Sequence, residues 1–340
     1  MSTPAEERLC KRDAASPYRN GLPTRFERVA RRGTNWELPR NFKGYTASTQ
    51  HQMGIGGAAT KCYLSISGRM EGAYIAKFAH KNGSIETLTE LFNNQLGKTL
   101  GFEMAHSGIA KLDGVLHFLS RSFRKPGEKL IHGSLMVETL GLADSGEMEK
   151  VKTVAQQQGM FDIDFVETFM REFCGIDFNN VFNKFIAMLV FDSLIGSMDR
   201  HPRNWGVIAP ESQGDPDKSE SRIRFSPIYD SARALLWDFS DAKIALLSAS
   251  DLKRYIEKSS PRIGLPHAAR RCNHFELLAH VATKHSSLLI NNIQNLPSST
   301  VGLASDLLHR WPFRNVFSVL RKRAIMAIIN SRFDRLMSMA

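Results

Sequence analysis

The sequence predicts an α+β fold in which a small strand-rich part precedes a mainly helical part. Residues 61–78 alternate apolar and polar side chains on both sides of a glycine-containing turn, which is typical of a β-hairpin. Residues 84–102 carry leucines and phenylalanines at helical spacing, and residues 108–123 form a second hairpin pattern around Asp113-Gly114. The first part therefore reads strand, strand, helix, strand, strand.

The rest of the chain favours helices. Two short strands, near 205–208 and 223–226, are predicted to form a hairpin across the polar, acidic loop 209–222. We expect the last helix to pack on the core with a solvated basic face, although such a face also suits a membrane surface or a partner. The predicted helices cover 148–160, 161–175, 177–196, 276–293, 301–311 and 313–337, and the basic residues of the last are Arg321, Lys322, Arg323, Arg332 and Arg335.

Composition narrows the class of protein. The 340 residues are 42% hydrophobic, enough for a large core, and the net charge of +11 favours anionic partners. The four cysteines are far apart in sequence, which argues against a zinc knuckle or a disulfide framework and fits a reducing compartment. No signal peptide or membrane span is evident. We expect a cytoplasmic protein, with secretion into a host by a specialised system as the alternative.

A polar cluster directly follows the apolar stretch 185–196. Asp199 and Asn204 are five residues apart, so a loop would place both on one surface. A carboxylate there can orient a hydroxyl nucleophile, and an amide oxygen suits Mg²⁺ beside a phosphate. His201 and Arg200 would stiffen the loop or touch the transferred phosphate. The alternative is a capped helix end with an ion pair.

A second acid lies after the predicted hairpin. The hairpin would bring Asp230 back beside Asn204, and a carboxylate next to an amide makes a plausible magnesium site. Asp230 would otherwise serve as an N-cap for the residues that follow.

The strand-rich part supplies the remaining groups. A glycine cluster before the first strand lets backbone N–H groups approach phosphate, although such clusters are more often turns. Lys77 ends a strand between apolar neighbours, and Glu90 on the next helix can pair with it. Glycine loop, strand lysine, helix glutamate, Asp…Asn and a final Asp follow each other as in a two-lobed protein-kinase-like fold, with a small β-rich N-lobe and a mainly helical C-lobe.

These motifs resemble those of the HipA-like serine/threonine kinases. The stretch MDRHPRNWGV is similar to the family's DRHxxN motif, FSPIYD to its segment ending in YD, and GGAATK to its phosphate loop. AYIAKF resembles the strand carrying the ATP lysine. The resemblance covers roughly residues 52–240, and the DRHxxN loop also occurs in phosphoinositide kinases. The expected segments are a basic arm at 1–45, an N-lobe at 46–122 and a C-lobe at 123–340.

The resemblance implies a role for each site residue in binding Mg²⁺ and ATP. Asp199 would be the base, with His201 beside it, and Asn204 and Asp230 would hold magnesium. We expect the adenine near Phe118–Arg121. The residues expected to hold the nucleotide are Gly54, Gly56, Gly57, Ala58, Ala59, Thr60, Lys61, Lys77 and Glu90.

The resemblance also has a departure. HipA carries an autophosphorylated serine where Gly54 stands here, so self-modification would have to use another residue, such as Ser48, Thr49 or Thr60. The implied partners are a protein substrate carrying Ser or Thr and a helix-turn-helix antitoxin, with a toxin or effector role and nucleic acid involved only indirectly. A lipid kinase, a non-catalytic pseudokinase and a nucleic-acid binder stay open as alternatives.

Overall fold

The structure is a computed structural model. It describes residues 45–49, 61–66, 72–78, 84–112, 115–135, 161–211, 222–266 and 270–340. The glycine-containing segment 54–60, the predicted helix 148–160 and most of the acidic loop 209–222 lie outside the described residues.

The first part of the chain forms a five-stranded antiparallel sheet in the order β1-β2-β3-β5-β4. Both predicted hairpins are present, because β2 pairs with β3 and β4 pairs with β5. The strand before them, β1, was not predicted. The strands are β1 Tyr45–Thr49, β2 Lys61–Ile66, β3 Gly72–Lys77, β4 Ser107–Leu112 and β5 Val115–Arg121.

Helix α1, Ser84–Thr99, packs against this sheet. Its apolar residues Leu88, Leu91, Phe92 and Leu96 are buried, as their helical spacing predicts. The polar residues of α1 are also largely buried, because the helix lies between the sheet and the helical part of the chain. A charged side chain on its inner surface therefore needs a partner of opposite charge.

A second sheet and a set of helices follow. The predicted hairpin is observed as β8 paired with β9, and the strand β6, which was not predicted, pairs with the other edge of β8. These strands are β6 Glu128–His132, β7 Phe161–Asp162, β8 Gly206–Pro210, β9 Arg224–Phe225 and β10 Ile263–Gly264. The helices are α2 Ile163–Cys174, α3 Phe178–Ile195, α4 Asp241–Ala245, α5 Ala249–Lys258, α6 His274–Gln294, α7 Thr300–Leu308, α8 Phe313–Val316 and α9 Val319–Met337.

Helix α3 runs through the core and delivers the polar cluster. Its apolar residues cover most of its circumference, and it packs against α2, α6 and α9. Gly196 ends it in a left-handed conformation, with φ of 66° and its N–H donating to the Asp192 carbonyl. Glycine takes this conformation without steric cost. The chain therefore turns sharply just before Asp199.

Two predictions for the C-terminal region were wrong. The helix predicted for 313–337 is broken, because Ser318 caps a new helix through its side chain, which accepts from Arg321 N–H. Its basic face is also not wholly solvated. Arg323 and Arg335 are exposed, but Arg321 and Arg332 are each only 1% exposed.

Along the residues that the structure describes, no helix is long and apolar enough to span a bilayer.

Candidate active site

Three separate elements converge on the Lys77 ammonium group. Lys77 ends β3, Glu90 lies on α1, and Asp230 follows β9. The Lys77 Nζ lies 2.7 Å from Glu90 Oε1 and 3.0 Å from Asp230 Oδ1. An ammonium group has three N–H donors, so these two carboxylates leave one donor for a further acceptor. The structure thus brings together three residues that the sequence singled out at distant positions.

This cluster carries one more negative charge than positive charge. Burial disfavours the charged form of Lys77, but the carboxylates of Asp230 and Glu90 outweigh it and raise the pKa of Lys77 above its ordinary value. Lys77 therefore stays protonated at neutral pH. A net negative, partly exposed cluster is suited to a cation.

Asp230 is held in a conformation that is unusual for a residue with a side chain. Its φ is 57°, in the left-handed region, which costs free energy and persists only when neighbouring contacts enforce it. Those contacts lie on both sides. Arg200 donates to the Tyr229 carbonyl at 2.6 Å, and Asn93 on α1 donates to the Ser231 carbonyl at 2.7 Å. The carboxylate is thereby aimed at Lys77.

Arg200 connects the two loops of the site. Its guanidinium is fully buried and pairs in a bidentate manner with Asp192 of α3, at 2.7 and 2.9 Å. It also donates to the Asn204 carbonyl at 2.7 Å and to Ser231 Oγ at 3.0 Å. Because it is 0% exposed, Arg200 stiffens the loop and cannot touch a bound phosphate, which decides between the two roles expected for it.

Asn204 is oriented by the same loop. Its Nδ2 donates to the backbone carbonyl of Asp199 at 2.8 Å, which leaves its Oδ1 without a hydrogen bond to any described residue. An amide oxygen and the Asp230 carboxylate are hard oxygen ligands. Among the described residues no three His, Cys, Asp or Glu side chains cluster as a metal cage. Two protein ligands nevertheless suit Mg²⁺, which usually keeps several waters and phosphate oxygens.

The Asp199 side chain lies between two arginines. Arg233 Nη1 is 3.2 Å from Asp199 Oδ2, and Arg262 Nε is 4.0 Å from Asp199 Oδ1. Burial raises the pKa of Asp199 above its ordinary value, and the two arginines only partly oppose it. Neither arginine was predicted. They follow Asp199 by 34 and 63 residues, and no local pattern marks them.

His201 braces the loop from within. Its ring Nδ1 accepts a hydrogen bond from the backbone N–H of Arg203 at 3.2 Å. Its backbone N–H donates to the Asp199 carbonyl at 2.8 Å. Burial lowers the pKa of His201 despite the nearby Asp199 and Asp230, so the imidazole is neutral at pH 7. Its predicted catalytic role stays a prediction.

The expected adenine position near Phe118–Arg121 stays a prediction, and most of the backbone groups there are already paired. Within β5, Phe118 to Ser120 have strand partners on both sides, in β3 and in β4. Their backbone groups are therefore used by the sheet. The N–H groups of Arg121 and Ser122 also donate within the protein. No described residue donates to the carbonyl of Ser122, so this is a group that a nucleotide base could use. Of the predicted nucleotide residues, Lys77 and Glu90 are described, Lys61 lies in β2, and residues 54–60 are outside the described chain.

Two buried basic side chains, Arg332 and His274, contact the residues just before the Asp199 loop. Arg332 donates to the Ser193 carbonyl at 2.5 Å and to Ser259 Oγ at 2.6 Å. His274, the first residue of α6, is 1% exposed and contacts the backbone of Ser197. Helix α9 thus contacts the C-terminal end of α3 through Arg332.

His274 makes stability depend on pH. Burial, assisted by Arg332, holds the pKa of His274 well below its ordinary value. Below about pH 6.5 His274 is protonated in the unfolded chain but stays neutral in the folded chain. The free energy of unfolding therefore falls by about 1.4 kcal/mol for each pH unit by which the pH is lowered. We expect His274→Gln to remove this part of the slope in urea titrations between pH 7 and 5. The exposed His309→Gln is the control and should keep it. Equal slopes for wild type and His274→Gln would contradict the assignment.

Comparison with known proteins defines the class. The structure is similar to that of the Helicobacter pylori proinflammatory kinase CtkA, with a TM-score of 0.68 and 15% identity, over 89% of this chain and 99% of that one. The fold is therefore protein-kinase-like. The sequence matches the HipA-like C-terminal domain over residues 53–294, and the chain belongs to this family.

Two further solved structures are more distant. HipA of Shewanella oneidensis MR-1, solved with HipB and its operator DNA, gives a TM-score of 0.48 at 13% identity, over 95% of this chain and 74% of that one. The golgi casein kinase gives 0.36 at 10% identity, over 84% and 71%. No curated protein matches the sequence.

Proposed function

We propose that the chain is an ATP- and Mg²⁺-dependent serine/threonine protein kinase of the HipA-like type. The observation that carries the proposal is the convergence of Glu90 and Asp230 on the Lys77 ammonium group, at 2.7 and 3.0 Å. Three elements distant in sequence meet in a partly exposed ionic cluster, whose net negative charge suits a cation and whose remaining Lys77 donor can bind a phosphate oxygen. Membership of the HipA-like family agrees with this function.

Each residue has a role that its surroundings support. Lys77 would donate to the nucleotide phosphates while Glu90 holds it in place. Asp230 and Asn204 would hold Mg²⁺, and the ion would supply positive charge that offsets the charge developing on the phosphate. Asp199, whose side chain is 15% exposed, would orient the Ser or Thr hydroxyl and accept its proton.

Arg200 would hold the loops that carry these residues in fixed positions relative to each other. It is bonded to the backbone of Asn204 and to that of Tyr229, the residue before Asp230. The loop that carries the proposed base and the loop that carries the proposed metal ligand are thus joined by one guanidinium. Catalysis of phosphoryl transfer depends mostly on positioning and electrostatics, so this connection contributes directly to rate.

Nucleotide binding tests the proposal without a known substrate. Titration calorimetry with ATP in Mg²⁺ and in EDTA should show tighter binding with Mg²⁺. We expect Lys77→Ala to weaken binding about ten- to hundredfold in both conditions, since it removes charge-assisted hydrogen bonds. Asp230→Asn should remove the Mg²⁺-dependent gain alone.

The control for this titration is Lys253→Ala on α5, whose side chain is 77% exposed. It makes the same change in net charge as Lys77→Ala and should leave ATP binding unchanged. Equal effects of the two lysine variants, or no ATP binding by the wild type, would contradict the proposal.

The proposal also includes a toxin or effector role and an antitoxin partner. They rest on family membership. The role predicts that expression of the wild-type chain in bacteria slows growth and that Asp199→Asn does not. Equal growth of both strains at equal protein levels would count against it.

A further inference from the structure

The charges on the two sides of the site are opposite in sign. Around Lys77, two carboxylates face one ammonium group. Around Asp199, two guanidinium groups face one carboxylate. The first side attracts a cation and the second attracts an anion. Because the proposed function places the acceptor hydroxyl at Asp199, the excess positive charge lies on the side of the acceptor protein.

The two arginines are held differently. Arg233 is fixed at three points: its carbonyl accepts the Met198 N–H at 2.9 Å, its guanidinium lies 5.2 Å from the Trp237 ring centroid, and it pairs with Asp199 at 3.2 Å. These contacts are enough to explain Arg233 as a positioning residue for Asp199.

Arg262 lacks such contacts within the described residues. Its ion pair with Asp199 is at 4.0 Å, too long for a hydrogen bond, and its Nε is buried without a hydrogen-bond partner there. The two terminal Nη groups of Arg262 are not among the buried atoms, and they have no hydrogen-bond partner in the part of the chain that the structure describes, so they can receive an incoming acceptor. The side chain as a whole is 31% exposed although its Nε is buried.

The backbone that carries Arg262 is rigid. Pro261 and Ile263 on either side are buried, and Ile263 pairs with Phe161 through the β10–β7 bridge. Ser260 Oγ donates to the Cys272 carbonyl at 2.6 Å. A rigid backbone lowers the entropy cost of ordering the side chain on a ligand.

We propose that Arg262 is the centre of an anion-binding subsite that selects Ser or Thr acceptors flanked by an acidic residue. The inference rests on the proposed function and deepens it. A peptide carboxylate beside the acceptor hydroxyl would pair in a bidentate manner with the two terminal Nη groups of Arg262. The net charge of +11 would add long-range attraction for an acidic acceptor protein.

Peptide binding tests this subsite apart from phosphoryl transfer. Two fluorescent peptide pools are needed, each with Ala at the acceptor position and randomised flanks. One pool contains Glu at the flanks and the other contains Gln in its place. Fluorescence anisotropy with Mg²⁺-ADP present should show about tenfold tighter binding of the Glu pool to the wild type.

Three variants decide the outcome. Arg262→Ala should abolish the preference for the Glu pool without affecting the Gln pool, and Arg262→Lys should restore part of it. Arg323→Ala is the control, because Arg323 is exposed on α9 and its loss changes net charge equally. It should keep the preference. The preference should also shrink as salt rises.

Several results would overturn the subsite. One is equal binding of the two pools by the wild type, and another is equal loss of Glu-pool binding in Arg262→Ala and Arg323→Ala. A third is weaker Mg²⁺-ATP binding by Arg262→Ala with its peptide preference intact, which would assign Arg262 to the nucleotide. Failure of the kinase assignment is separate, since a preference that depends on Arg262 is measured without any phosphoryl transfer.

Discussion

Asp199→Asn is expected to lower the rate of phosphoryl transfer by about a thousandfold and to leave Mg²⁺-ATP binding unchanged. The amide has the shape of the carboxylate but cannot accept the proton of an acceptor hydroxyl, and general-base catalysis contributes on this scale. The ion pairs of the Lys77 cluster are made by Glu90 and Asp230 and not by Asp199. The measurement is a single-turnover rate with γ-labelled ATP, beside calorimetry of nucleotide binding.

A matched variant makes this result specific to the site. Glu257→Gln removes one carboxylate from α5, where Glu257 is 51% exposed and lies 3.9 Å from Lys253. It should transfer phosphate at the wild-type rate. If Asp199→Asn did the same, Asp199 would not be the base, and the role of the loop would be limited to structure. If it also lost nucleotide binding, the variant would have damaged the fold of the site.

Arg200→Ala is expected to destabilise the folded protein by about 3–5 kcal/mol. The substitution leaves the Asp192 carboxylate buried without its bidentate partner, and the cost of an uncompensated buried charge is of this size. It also deprives the carbonyls of Asn204 and Tyr229 of a donor. Urea titration with a spectroscopic probe measures the loss.

Two further variants separate charge from geometry. Arg254→Ala removes an exposed arginine of α5 and should change stability by less than about 0.5 kcal/mol. The double variant Asp192→Leu with Arg200→Met replaces the buried ion pair by apolar side chains and should recover much of the lost stability. Its kinase activity should stay low, since the two loops are no longer joined. An Arg200→Ala protein as stable as the wild type would contradict the role given to this residue.

Much of the fold could be predicted from local sequence patterns. The hairpin β2–β3, helix α1 and the hairpin β4–β5 follow from alternation, helical spacing and the Asp113-Gly114 turn, all of which are local properties. Strand β6 was missed because the stretch around it, KPGEKLIHG, is short and polar and becomes a strand by pairing with β8.

The site shows the same division between local and distant information. Asp199 and Asn204 could be proposed from the sequence because they lie five residues apart in one predicted loop. The contacts of Arg233 and Arg262 with Asp199 were not found, because the chain between them must fold before the contacts exist. The burial of Arg321 and Arg332 was missed for a related reason. Long arginine side chains on an amphipathic helix usually reach solvent, but here backbone carbonyls of other elements accept their hydrogen bonds.

Phosphate transfer itself is the most direct test of the proposed kinase. The purified chain should be incubated with Mg²⁺ and γ-labelled ATP, alone and with mixed dephosphorylated proteins, beside Asp199→Asn and Asp230→Asn, and then analysed by mass spectrometry. Phosphoserine or phosphothreonine formed by the wild type and by neither variant is the expected result. Labelled lipid with no labelled protein, equal labelling by all three proteins, or no labelling by a wild type that binds Mg²⁺-ATP would contradict the proposed function.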